Sequence, residues 1–290
     1  MSLIFRNVWE LIAPHYLLIS FIAPFSSYLV ISASLPSFNF VLALVSFSLV
    51  VLGFNVTNMI FDLDVDKINK PRRPIPSGRV SINEAFFLSF LLFFSGLFIA
   101  LLVNEQLPLV MLLFIFLSTI YNYPKFSFRH FPLASNVMGA LLYGLIPYLI
   151  AHFVLVSYPV NYVFLVFFMG LYFVIASSKD FEDIAGERKV GRKSLPIVLG
   201  EKKTALFMLG GEFVLLFSLF LAALFNFVSF IYFYSILFSL ILFIFQFKLV
   251  SRNYARRNSL KDLVLQSNLV TVSILFVILV QIVFGFSSLL

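Results

Sequence analysis

The feature that most constrains the fold is a series of long apolar segments separated by short polar connectors. A helix that spans a bilayer needs about 20 mostly apolar residues. Hydrophobic residues make up 61% of this sequence and charged residues only 11%, whereas a soluble domain is about half apolar. The sequence therefore predicts an all-α, polytopic bundle of transmembrane helices that forms a single domain over residues 1–290. Nine spans are predicted, at residues 11–33, 38–60, 84–103, 107–123, 131–153, 160–178, 204–224, 228–248 and 266–286.

Positive charge is confined to alternate connectors. Of the 20 Lys and Arg residues, 19 lie in or beside the connectors after predicted spans two, four, six and eight, and Arg6 precedes the first span. By the positive-inside rule, the N-terminus and these connectors are cytoplasmic and the C-terminus is outside. The net charge of +7 then reflects topology and attraction to anionic lipids, with no need for a nucleic-acid partner.

Thiol and transition-metal chemistry are not expected. The chain has no cysteine, so disulfides and thiolate catalysis are excluded. Its three histidines, His15, His130 and His152, lack the i, i+4 spacing of a zinc site.

Acidic residues cluster in two of the cytoplasmic connectors, four predicted helices apart. Asn58, Asp62 and Asp66 stand at i, i+4 and i+8, and Asp183 and Glu187 repeat the i, i+4 step. Residues at this spacing share one face if the helix continues through them. Because like charges at this spacing repel each other, a cation is expected to neutralise them. The similar order of charges in both connectors also indicates a possible four-helix pseudo-repeat followed by a ninth helix.

This arrangement predicts a diphosphate site at the cytoplasmic face. Carboxylate oxygens suit a hard cation such as Mg²⁺, which is usually held by one or two carboxylates together with substrate phosphate. Basic residues follow each acidic cluster, in "KINKPRRPIPSG" and "RKVGRKSLPIVLG", and can bind phosphate oxygens. The plain alternative is a pair of solvated connectors, and Asp64 and Glu182, which lie off the repeated face, are expected to be solvated. A transporter is a further alternative, but it would place paired charges near the bilayer midplane.

Together these segments resemble the paired aspartate-rich motifs of the UbiA superfamily of intramembrane prenyltransferases. The matching segments are Asn58-x3-Asp62-x3-Asp66 with the following "NKPRRPIPSG", then "DFEDIAGERKVGRKSLP", and "YNYPK" after the fourth predicted span. Nine helices is also the number in that family. The resemblance implies an enzyme that transfers an isoprenyl group from a prenyl diphosphate to an acceptor, with Mg²⁺ held between the two acidic motifs.

The resemblance also implies roles for individual residues. Asp62, Asp66, Asp183 and Tyr121 are the candidate catalytic residues, with Tyr121 near the reacting carbon. The implied metal ligands are Asn58, Asp62, Asp66, Asp183 and Glu187. The implied diphosphate ligands are Lys125, Arg72 and Arg73, with Asn58 also at the substrate. Further basic residues on the same face, as candidates for substrate phosphate, are Lys179, Arg129, Arg192 and Lys193.

The chain departs from the family pattern at three positions. Glu187 stands where aspartate is usual, Met59 replaces an acid, and Ala13 occupies a place where an arginine is expected. Glutamate remains a magnesium ligand, but the missing arginine bears on recognition of an anionic acceptor.

The identity of the acceptor is the least constrained expectation. The connectors look most similar to the branch of the family that makes archaeal ether lipids, whose acceptor is geranylgeranylglyceryl phosphate, and geranylgeranyl diphosphate is then the expected donor. An aromatic acceptor of the 4-hydroxybenzoate, homogentisate or naphthoate type is the alternative.

Overall fold

The computed structural model describes residues 3–13, 16–32, 34–123, 128–156, 158–178 and 180–227, together with Ile244. All regular structure in these ranges is helical, which confirms the predicted all-α class. Short 3₁₀ turns at Phe128–His130 and Ala176–Ser178 and a π-helical segment at Ala140–Leu145 complete the helices. The helices are α1 (Leu3–Ile12), α2 (Tyr16–Ser32), α3 (Phe38–Phe61), α4 (Leu63–Asn69), α5 (Ile82–Leu101), α6 (Leu107–Asn122), α7 (Ala134–Gly139), α8 (Ile146–Val154), α9 (Tyr162–Ile175), α10 (Asp180–Lys189), α11 (Leu195–Val198) and α12 (Glu201–Leu224).

The protein is a multi-pass membrane protein. In the described part of the chain, four continuous helices are long and apolar enough to cross a bilayer, and three shorter apolar helices accompany them. The four are Phe38–Phe61, Ile82–Leu101, Ala134–Val154 and Glu201–Leu224. The predicted spans at 228–248 and 266–286 lie outside the described residues, apart from Ile244.

The first predicted span is wrong at its N-terminal end. A single helix was expected over residues 11–33, but Ala13 adopts a φ of 47° and separates α1 from α2. The residue that precedes a proline is disfavoured in the helical conformation, and Pro14 follows Ala13 in the sequence. The apolar run therefore contains a turn that hydrophobicity alone does not reveal.

Helix α3 forms the centre of the described bundle and packs closely on α5. The hydroxyl of Ser46 donates to the carbonyl of Gly96 at 2.8 Å. A Cβ at Gly96 would lie 2.7 Å from a methyl of Val50, so only glycine allows this approach. Small residues at such contacts are typical of helix packing in membranes, where close backbone approach replaces the hydrophobic effect.

Helix α5 carries an apolar stripe on its outer face. Phe87, Phe90, Phe94 and Phe98, three or four residues apart, are each more than half exposed. A stripe of this kind on a water-soluble protein would be an aggregation surface, whereas lipid tails solvate it at no cost. This face of α5 is therefore suited to contact lipid tails.

Candidate active site

The first acidic motif lies where α3 passes into α4. Although α3 ends at Phe61, Asp62, Asp66 and Lys70 each donate the backbone N–H to the carbonyl four residues earlier, at 2.8 Å. The four-residue hydrogen-bond repeat therefore continues from Asn58 through α4. This confirms the predicted common face of Asn58, Asp62 and Asp66, along which Asn58 Nδ2 donates to Asp62 Oδ2 at 2.7 Å.

The second acidic motif lies on α10, which packs directly against α4. Asp183 and Glu187 stand one turn apart on this helix, as the spacing predicts. Asn69 joins the two helices, because its Nδ2 donates to the carbonyl of Asp183 and its Oδ1 accepts from the N–H of Gly186, both at 3.0 Å. The structure thus brings together two motifs that are more than 110 residues apart in sequence.

Each motif supplies a cation to a carboxylate of the other. Arg192, which follows α10, places Nη2 at 2.7 Å from Oδ1 of Asp62. Conversely, Lys70 at the end of α4 places Nζ at 2.8 Å from Oδ1 of Asp183. The Arg192 and Asp62 side chains are only 13% and 14% exposed, so their pairing is less screened by solvent than a surface ion pair. The like charges that the spacing brings together are neutralised in this way.

Two further carboxylates are almost fully buried. Glu187 accepts a hydrogen bond from the Ser194 hydroxyl at 2.6 Å, and Arg192 Nη1 lies 3.9 Å from its Oε1. Asp66 is 2% exposed and pairs with Nη1 of Arg73 at 2.7 Å. Burial raises the pKa of Asp66 above its usual value, and the positive charge of Arg73 opposes that shift.

The connector between α4 and α5 is fastened to α1 by Arg79. Its Nη1 donates to Oδ1 of Asn7 at 3.0 Å, and its Nη2 pairs with Glu10 and donates to the carbonyl of Arg72 at 2.7 Å. The backbone that carries Arg72 and Arg73 is therefore held in place from the N-terminal helix.

A cavity of about 170 Å³ lies beside Arg192. Its aromatic lining consists of Phe61, Tyr121, Tyr123, Phe128 and His130. Tyr121 also borders a much smaller polar cleft that contains Asp180 and Glu187. Tyr121 therefore borders both the aromatic-lined cavity and the cleft that contains the buried carboxylates, and its role near the reacting carbon stays a prediction.

The donor atoms fit Mg²⁺ by type, because they are carboxylate and amide oxygens. Within the described ranges, no three acidic or histidine side chains lie close enough to hold one ion by themselves. Mg²⁺ usually takes only one or two carboxylates and completes its shell with water and substrate phosphate. Asp62 and Glu187 both face Arg192, so these two carboxylates could share a cation that arrives with a diphosphate.

The predicted basic ligands have mixed outcomes. Arg73 is engaged with Asp66, whereas Arg72 and Lys193 are exposed. Arg192 was expected to be a spare cation for acceptor phosphate; the structure pairs it with Asp62, and its contact with phosphate stays a prediction. Lys125 and Lys179 and the side chain of Arg129 lie outside what the structure describes.

Sequence reasoning missed three residues of this site. Asp180 is buried and accepts a hydrogen bond from the Ser135 hydroxyl at 2.6 Å, and Asn69 and Lys70 join α4 to α10. The signal for Asp180 was present, since it stands at i−3 and i−7 from Asp183 and Glu187 on the same helix. Nothing local in the sequence marks Asn69.

Comparison with known proteins places this geometry in a family. The UbiA prenyltransferase family model matches residues 18–285. The chain is 34% identical over 207 residues to the digeranylgeranylglyceryl phosphate synthase of Sulfolobus acidocaldarius, covering 67% of this chain and 70% of that protein. It is 31% identical over 207 residues to the enzyme of the same name from Sulfurisphaera tokodaii, covering 69% of this chain and 72% of the relative.

The fold is also shared with a solved structure. A UbiA homologue from Archaeoglobus fulgidus, bound to GPP and Mg²⁺, matches with a TM-score of 0.69 at 19% identity, over 94% of this chain and 99% of the homologue. At this identity the match establishes the common helical architecture and leaves the ligands to be inferred from this chain's own residues.

Proposed function

Since the chain belongs to the UbiA prenyltransferase family and is an intramembrane prenyltransferase, we propose that it transfers a geranylgeranyl group from geranylgeranyl diphosphate to geranylgeranylglyceryl phosphate. The observation that carries this proposal is the contact of α4 with α10, which joins two acidic motifs beside an aromatic cavity. The relatives named digeranylgeranylglyceryl phosphate synthase support the choice of acceptor.

The proposed reaction breaks the allylic C–O bond of the donor and forms a new C–O bond to the acceptor hydroxyl, which loses its proton. Bound Mg²⁺ would neutralise the charge that develops on the departing diphosphate. Asn58, Asp62, Asp66, Asp183 and Glu187 are the proposed ligands, and each ion needs only one or two of these carboxylates.

The basic residues around the motifs are proposed to hold the phosphate oxygens. Arg72 and Arg73, on the connector fastened by Arg79, would bind the diphosphate together with Lys125. Cations at developing negative charge are among the largest contributions to catalysis in a water-excluded site. Lys193, Lys179 and Arg129 are the candidates for the acceptor phosphate.

Tyr121 and the aromatic cavity are proposed to surround the reacting carbon. The face of an aromatic ring attracts a cation, and an allylic carbon gains positive charge as its C–O bond breaks. The aromatic side chains of the cavity would also shield the reacting carbon from water, so that transfer to the acceptor competes with hydrolysis.

The proposed topology is the one that the charge distribution predicts. The chain would form one domain of nine spans, with the N-terminus and the active-site connectors in the cytoplasm and the C-terminus outside. The two acidic connectors are proposed to be equivalent positions of a four-helix pseudo-repeat, on the basis of their similar order of charges.

An acceptor panel tests the proposed function. Purified protein with Mg²⁺ and labelled geranylgeranyl diphosphate would be offered geranylgeranylglyceryl phosphate, 4-hydroxybenzoate, homogentisate and a naphthoate in parallel. We expect the label to move to the glycerol ether lipid. Transfer to an aromatic acceptor alone would refute the ether-lipid assignment and leave prenyl transfer itself intact.

A further inference from the structure

Arg192 occupies an unusual position between the two acidic motifs. Its guanidinium places Nη2 at 2.7 Å from Asp62 of the first motif and Nη1 at 3.9 Å from Glu187 of the second. The Asp62, Glu187 and Arg192 side chains are each less than 15% exposed. One cation thus faces two carboxylates from segments that are far apart in sequence.

The chemistry of this position resembles that of a metal site. A guanidinium has a planar fork of donors that matches carboxylate oxygens, and its charge cannot be lost by deprotonation. A divalent ion held by the same two carboxylates would need the oxygen atoms that Arg192 faces. Two cations cannot share these oxygens at close range without strong repulsion, so occupancy by Arg192 and by the metal should be mutually exclusive.

We propose that Arg192 is a positioning residue that stands in for the metal between Asp62 and Glu187 until a metal-bearing diphosphate enters and displaces it. The proposal rests on the proposed function, because it takes these two carboxylates as metal ligands. While Arg192 remains in place, it lowers the affinity of the site for metal alone and keeps the two motifs aligned. When displaced, it still borders the cavity beside Tyr121, where its charge can meet the phosphate oxygens that arrive with the metal.

The site should therefore bind the metal–diphosphate complex more tightly than it binds the free metal ion. A free divalent ion must compete with Arg192 and offers the guanidinium no new partner. The complex carries phosphate oxygens, so the displaced guanidinium exchanges one set of anionic partners for another. Binding of metal and binding of diphosphate should therefore be more strongly coupled in the wild type than in a variant without this charge.

Manganese binding to the full-length protein in detergent tests the proposal without any measurement of turnover. Mn²⁺ is paramagnetic and can replace Mg²⁺ at oxygen ligands, so free and bound ion can be counted by electron paramagnetic resonance. We expect Arg192→Gln to bind Mn²⁺ alone about tenfold more tightly than the wild type. A tenfold change in Kd corresponds to the free energy of roughly one charge-assisted hydrogen bond. Arg188→Gln is the matched control, because Arg188 is an exposed residue of α10 and its removal changes the net charge by the same amount.

The outcomes separate this proposal from the proposed function. Equal or weaker Mn²⁺ affinity in Arg192→Gln than in Arg188→Gln would overturn the stand-in role. If the wild type binds no Mn²⁺ even with geranylgeranyl diphosphate present, the metal-dependent function itself fails. If Arg192→Gln does not fold, Arg192→Lys replaces it, and its ammonium, which lacks the planar fork of the guanidinium and is more strongly hydrated, should give an affinity above that of the wild type. An Arg192→Lys affinity equal to that of the wild type would overturn the proposal.

Discussion

Gly186 on α10 lies so close to Asn69 on α4 that a Cβ at position 186 would stand 2.7 Å from the Asn69 Nδ2 atom. The same Cβ would lie 2.9 Å from the carbonyl oxygen of Val65, which belongs to the backbone and cannot turn away. The two acidic motifs approach each other only because position 186 has no side chain.

We therefore expect Gly186→Ala to push α10 away from α4. Such overpacking costs typically about 1–3 kcal/mol, more than the roughly 0.5–1 kcal/mol that alanine gains over glycine in a helix. Thermal unfolding in detergent should show a lower midpoint, and prenyl transfer should fall with it. Gly210→Ala is the control, since a Cβ at this helical position meets nothing within 4 Å, and it should leave stability equal or slightly higher.

The two acidic motifs should both be needed for the reaction. Asp62→Asn and Asp183→Asn keep the size of each side chain but remove the charge that is proposed to bind metal. We expect each to lower kcat at least about 10²-fold, the scale of losing a main electrostatic stabiliser. Glu105→Gln is the control, because Glu105 is exposed and lies in the connector between α5 and α6, outside both acidic motifs. Near-normal turnover in both Asp62→Asn and Asp183→Asn would refute the two-motif site.

Topology can be measured with single cysteines, because the natural sequence has none. Ser77→Cys places an exposed thiol in the connector between α4 and α5, and Glu105→Cys places one in the connector between α5 and α6. In intact cells, a membrane-impermeant maleimide should label position 105 and spare position 77, and the pattern should reverse in inverted vesicles. Labelling of position 77 from outside would show that the proposed orientation is inverted.

The parts of this structure that the sequence predicted depend on local periodicity. The common face of Asn58, Asp62 and Asp66 requires only that the four-residue backbone hydrogen-bond pattern persist through them, and it does so although α3 gives way to α4 at Asp62. The break at Ala13 was missed because the apolar run continues across it, so hydrophobicity outweighed the signal of the following proline.

The contacts between distant residues were beyond a reading of local pattern. Arg192 and Asp62 are 130 positions apart, and no spacing rule connects them. The hydrogen bond from Ser135 to Asp180 likewise joins residues 45 positions apart, although the spacing of Asp180 from Asp183 and Glu187 is visible in the sequence. Periodicity fixes which side chains share a helix face, whereas the pairing of faces depends on the packing of the whole bundle.

Binding of the acceptor phosphate should depend on other basic residues, because Ala13 stands where an arginine was expected. Arg192 already pairs with Asp62, so Lys193, Lys179 and Arg129 are the candidates to test first. Changing the correct one to alanine should raise KM for geranylgeranylglyceryl phosphate more than KM for the prenyl diphosphate, which has metal ions as a further anchor. Steady-state kinetics with each substrate varied in turn would show this asymmetry. If none of the three variants shows this asymmetry in KM, the proposal that these residues bind the acceptor phosphate is refuted.

The dependence of prenyl transfer on free Mg²⁺ tests the central claim most directly. Purified wild-type protein would be assayed with labelled geranylgeranyl diphosphate and geranylgeranylglyceryl phosphate, first with Mg²⁺, then with excess chelator, then with Mg²⁺ restored. Because two carboxylate motifs are proposed to hold the diphosphate through metal, transfer should stop with the chelator and return in full with the metal. Transfer that continues at an undiminished rate in excess chelator would contradict the proposed mechanism.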